Sequence, residues 1–188
     1  MKRNVILVTD GDKVAKKAIE AAATNIGGRC ISRSAGNPTL LSGEEIVEYI
    51  KQAKHDPVVV MVDDMGNSHT GSGEEAMDYI INSDDVNILG VVAVASNTMG
   101  VEGIKADCSI DRECRVTNNP VNKDGIAQKR GRVILGDTVD ILNEERVPII
   151  IGIGDPGKME GFDDAEIGAP VITKALQEIL KRSKSKGM

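Results

Sequence analysis

Three apolar runs in this sequence stop on aspartate and glycine: "VTDGD" (8–12), "VDDMG" (62–66) and "IGIGDPGK" (151–158). In open α/β sheets, ligands bind outside the carboxyl ends of the strands. If the strands finishing at Thr9, Val62 and Ile153 run side by side in one direction, Asp10, Asp12, Asp63, Asp64 and Asp155 meet at one edge. Crowded carboxylates repel one another. A hard cation such as Mg²⁺, which takes oxygen ligands, relieves that repulsion; so does a proton held on one carboxyl. Asp10, Asp12, Asp63 and Asp64 are therefore the candidate metal ligands. A local reading competes, because Asp and Gly are favoured where a chain leaves a strand and caps a helix. Spacing also counts against a joint role for Asp63 and Asp64, since adjacent residues on a strand point to opposite faces.

"GNSHTGSG" (66–73) offers backbone N–H groups to a small anion at a helix start. Gly66, Ser68, His69, Gly71 and Ser72 are its candidate contacts. The loop lacks the GxxxxGK[ST] pattern and is not a P-loop. Residues 152–157 read GxGxxG, but no acidic residue follows about 20 positions on at the end of another strand, so the dinucleotide fingerprint is incomplete. Gly154, Asp155 and Lys158 join the candidate anion contacts. His55 and His69 are the only histidines, and neither has a Ser or Cys partner suggested by spacing. No catalytic residue is assigned. Cys30, Cys108 and Cys114 form an odd set without CxxC, which suits neither a disulfide scaffold nor a zinc site and reads as free thiols in a reducing compartment.

These residues need elements to hold them. "NVILVT" (4–9) reads as a buried strand, followed by a helix with Asp12 as N-cap and Gly27-Gly28 as its stop. "RCISRS" (29–34) is a short second strand. Ser42 and Glu45 form a capping box for the next helix. "PVVVMVDD" (57–64) is a central strand, "GSGEEAMDYIINS" (71–83) a helix and "VNILGVVAVAS" (86–96) a fourth strand. An irregular or hairpin insertion is expected near 104–135. A short helix capped by Asp137 should follow, then a strand in "VPIIIGIGD" (147–155), then a closing helix with Pro170 in its first turn. Alternating strands and helices give an α/β fold. The expected form is a three-layer sandwich, Toprim-like or flavodoxin-like, with a mostly parallel central sheet of about five strands and helices on both faces. All 188 residues are expected to form a single domain.

Composition narrows the function. There is no Trp, one Phe and two Tyr, so stacking on single-stranded nucleic acid is disfavoured. The formal net charge of −6 repels phosphate backbones. The basic end "KRSKSKGM" (181–188) is a candidate tether to an anionic surface. No apolar run approaches the roughly 20 residues of a membrane helix, and "MKRNVILVTDGD" is not read as a secretory signal. A soluble, intracellular protein is expected, and a homo-oligomer is compatible with the sequence.

In order along the chain, "ILVTDGD", "SAGNPTLLSGEEIV", "HDPVVVMVDDMG", "LGVVAVAS", "GDTVDIL" and "VPIIIGIGDPGKM" resemble the soluble stage V sporulation protein AE family of spore-forming Firmicutes. The resemblance runs nearly end to end. It implies a product of the operon for dipicolinic acid movement, acting in sporulation and spore germination. Membrane proteins of the same operon would be its partners. Its location would be cytoplasmic or spore-associated, peripheral at the spore inner membrane. The family brings no established catalytic residues. A weaker resemblance, carried by Asp10 and the Asp63-Asp64 pair, is to Toprim-type domains, which implies Mg²⁺-dependent phosphoryl transfer or nucleic-acid processing. A third reading is a binder of a small anion such as dipicolinate.

Overall fold

The computed structural model describes residues 2–67 and 70–187. Seven strands form one sheet: β1 (Arg3–Val8), β2 (Arg29–Cys30), β3 (Val58–Met61), β4 (Val86–Val94), β5 (Cys108–Ile110), β6 (Val116–Thr117) and β7 (Ile150–Ile153). Their spatial order is β2-β3-β1-β4-β7-β5-β6. Every pairing is parallel except the antiparallel β5–β6 hairpin. The five strands expected from the sequence are all present. The other two come from the irregular stretch, which adds a margin to the sheet beyond β7.

Among the described residues four α-helices cover the sheet: α1 (Lys13–Asn25), α2 (Gly43–Gln52), α3 (Ser72–Ile81) and α4 (Pro170–Ser185). The core explains the layering. Strand side chains alternate between faces, so Ile6, Val8, Val59, Met61, Val92 and Val94 pack with α1 and α4. Val5, Leu7, Val58, Val60, Val91 and Ala93 pack with α2 and α3 on the other side. Val5 through Val8 are fully buried, as a central strand covered on both faces must be. The chain leaves β1 for one layer and the neighbouring β3 for the other. A crevice therefore opens between their carboxyl ends, at the switch point where such sheets bind ligands.

Local signals in the sequence set most element boundaries. The Asp12 carboxylate accepts from the Val14 and Ala15 amides at the start of α1. Ser42 and Glu45 make the reciprocal capping box of α2. Two expectations are corrected. Strand β2 ends at Cys30, and Ser32–Ser34 turn into a 3₁₀ helix. The reason is the Ser34 hydroxyl, which accepts the Met61 amide at 2.9 Å and takes the place of a longer neighbouring strand. The short helix is a 3₁₀ turn over Asp140–Asn143, and Asp137 does not cap it. Asp137 instead accepts the Gly66 amide across the crevice.

Helix α4 begins after Ala169, which has no capping side chain. The fully buried Asp163 does that work from outside the helix, accepting the Val171 and Ile172 amides at 2.7 and 3.2 Å. Burial pushes its pKa from an ordinary 3.8 up to about 7, against the opposing pull of those two amides. Between these two values the folded chain keeps a proton that the unfolded chain has lost. Stability therefore falls as pH rises from about 4 to about 7, and this contribution levels off above that range. Urea midpoints measured across that window should decline in the parent protein. The decline should be shallower in Asp163→Asn, whose side chain cannot ionise.

Candidate functional site

The crevice has a volume of about 180 Å³ and draws its walls from four strand ends. β1 supplies Thr9, Asp10 and Asp12; β3 supplies Asp63 and Gly66; β4 supplies Val94, Ser96 and Thr98; β7 supplies Asp155 and Lys158. Asn37 and Asp137 close it from flanking loops. β1, β3 and β7, which end at Val8, Met61 and Ile153, point the same way. β1 and β3 are neighbours, and β4 lies between β1 and β7.

Each carboxylate at this edge is already engaged by the backbone. Asp10 accepts the Asp12 amide at 3.2 Å. Asp63 accepts the Gly11 amide at 3.1 Å and the Met65 amide at 2.9 Å, tying the β1 and β3 exits together. Asp155 accepts the Gly157 amide at 2.7 Å. Asp64 turns away from the crevice. It accepts the Gly73 and Glu74 amides at 2.6 and 3.1 Å, capping α3 in place of an N-cap side chain. The Asp63 and Asp64 side chains diverge, as their adjacency requires. Among the described residues, no group of three or more His, Cys, Asp or Glu side chains is arranged to hold a metal ion.

The candidate anion contacts divide in the same way. Gly66, Asp155 and Lys158 line the crevice. Gly71 and Ser72 lie at the start of α3. A Cβ on Gly71 would fall 2.2 Å from Asp64 Oδ1, so glycine there makes room for the cap. Gly154 is packed against the backbone of Gly125, 2.5 Å from where a Cβ would stand. The GxGxxG run thus owes at least this glycine to close packing. Ser68 and His69 lie outside the described residues. Cys30 and Cys108 are buried and Cys114 is half-buried, all three as free thiols. Burial pushes the Cys30 thiol up to about 12, which leaves it inert.

The electrostatics of the crevice follow from crowding. Burial raises the Asp10 pKa well above the ordinary range, and the charges of Asp12, Asp155 and Asp63 raise it further. Asp63 is pushed up to about 6, chiefly by burial. Burial also raises Asp155, with the Gly157 amide and Lys158 opposing. Lys158 is the only cation lining the crevice among the described residues. Five aspartates against one lysine favour a positively charged guest and repel an anion. Sequence reasoning missed Asp137 as a wall of the crevice. It lies 71 positions from Gly66, and no short-range spacing marks the pair.

The fold and site define a doubly wound α/β protein with an acidic crevice at its switch point. No helix of the described residues is long and apolar enough to cross a membrane. The family model of stage V sporulation protein AE1 matches residues 4–183, and the chain belongs to that family. It is accordingly a sporulation-related protein. Comparison with curated proteins and with solved structures returns no match.

Two substitutions separate the roles of these acids. Asp64→Ala leaves two helix-start amides without their acceptor and should cost about 1–2 kcal/mol in urea unfolding. Asp10→Asn removes one charge from a repelling group. It should stabilise the fold at pH 8, where the buried Asp10 carboxyl is pressed to ionise, and the gain should shrink as pH falls and that carboxyl is protonated.

Proposed function

We propose that this chain is a non-enzymatic accessory of dipicolinic acid movement in spore formation and germination, acting by contact with membrane proteins of its own operon at the spore inner membrane. The observation that carries this reading is the family match over residues 4–183, in a chain with no membrane-crossing helix among its described residues. A partner that stays outside the bilayer reaches the transport path through docking. The acids at the sheet edge support a structural role, because their oxygens hold strand and helix ends rather than an open ligand set.

That arrangement weighs against a Toprim-like, Mg²⁺-dependent reading, since Asp64 is turned to α3. The charge of the crevice weighs against free dipicolinate, a dianion, as its occupant.

A tagged chain isolated from spore membranes in mild detergent should bring down the operon's membrane proteins. Recovery of the bait alone, under conditions that keep that complex intact, would refute the proposal. In a separate thermal-unfolding experiment, dipicolinate without a divalent cation should produce no saturable rise in Tm.

A further inference from the structure

The two helical layers carry opposite charge. α1 and α4 together hold seven Lys and Arg against two Glu, whereas α2 and α3 hold six Asp and Glu against one Lys. The sheet separates the layers. The net charge of −6 conceals this asymmetry, because the charges of the two helix pairs cancel and the acidic excess lies outside the four helices. Among the described residues, ion pairing on the basic face uses only Lys181 and Arg182, both on Glu178. Lys13, Lys16, Lys17, Lys174 and Lys184 have no acidic partner among the described residues. Apolar surface lies among them: Val14 is 47% exposed, and Ile26 and Leu180 share a shallow groove with Lys181 and Lys184.

We propose that the α1–α4 face is a docking surface for an anionic phospholipid bilayer, with α2 and α3 turned toward water. This rests on the membrane association proposed above and specifies its geometry. The chemistry of the face selects a lipid surface over other anions. Six of its seven cations are lysines, which act as mobile point charges rather than the rigid forks that grip one carboxylate or phosphate. They are spread along two neighbouring helices instead of converging on a point. Neither helix contains an aromatic residue, so bases find nothing to stack on. The acidic α2–α3 layer is repelled by the same surface, which fixes the orientation. Docking by the whole face differs from tethering by the basic C-terminus alone, because α1 adds three lysines to the four cations of residues 181–188.

The test is co-sedimentation of the full chain with vesicles of mixed phosphatidylglycerol and phosphatidylcholine, and with phosphatidylcholine alone. The parent should bind the anionic vesicles only, and high salt should release it. Each unpaired lysine should contribute about fivefold, so the Lys13→Gln, Lys16→Gln, Lys17→Gln triple variant should bind on the order of a hundredfold more weakly. Glutamine preserves helix propensity, and circular dichroism checks the fold. Glu44→Gln with Glu75→Gln, on the acidic layer, should bind at least as well as the parent.

Equal binding to both vesicle types, or no binding, overturns the proposal. So does a triple variant that binds like the parent while Lys184→Gln with Lys186→Gln abolishes binding, which would leave the tail as the tether. Absence of vesicle binding with operon proteins still recovered from spore membranes would reject this surface and keep the functional reading above.

Discussion

Aspartate carboxylates accepting backbone amides hold this molecule together at many of the points where a strand or helix begins or ends. An amide buried without an acceptor costs about 1–3 kcal/mol, and a sheet with short strands and long connections creates many such amides. Asp107 accepts the Ile150 amide at 2.7 Å where β7 starts. Asp140 accepts the Glu102 and Gly103 amides, both at 2.8 Å, and fastens the segment after β4. Asp111 gathers the Glu113 and Arg115 amides in the β5–β6 turn. Asp63, Asp64 and Asp163 do the same at the exit of β3 and at the starts of α3 and α4. The acidic edge of the sheet is a product of this device repeated at parallel strand ends. Parallel pairing brings those ends together, so carboxylates recruited one by one for local duty become neighbours and repel.

That repulsion gives the crevice its character. Five of its wall residues are aspartates already bonded to amides, and their crowded charge faces the open side. The surface carries a second asymmetry at larger scale, between the α1–α4 and α2–α3 layers. Both asymmetries arise from how residues that are distant along the chain are stacked.

Much of this architecture was legible in the sequence because it depends on short-range signals. The apolar runs at 4–9, 57–64, 86–96 and 147–155 announced buried strands, and Asp12 and Ser42 with Glu45 announced helix starts that the structure retains. Adjacency alone said that Asp63 and Asp64 must diverge. What stayed hidden depends on contacts between distant residues. Ser34 replaces a strand partner for Met61 from 27 positions away. Asp163 caps a helix from eight positions before Val171, beyond the three-residue reach of a capping box. Asp137 had a plausible local role as a helix cap, and its real partner, Gly66, lies on another loop. The charge division between the layers was invisible for the same reason. α1 and α4 lie at opposite ends of the sequence, and only the fold makes them one surface.

The margins of the sheet limit how the protein can associate. The outermost strands, β2 and β6, are each two residues long. An edge this short exposes too few free amides and carbonyls to template a further strand. Edge-to-edge pairing of neighbouring copies is therefore disfavoured. Growth of a continuous intermolecular sheet finds little to build on, which leaves side-chain contacts on helices and loops as the surfaces open to a second molecule.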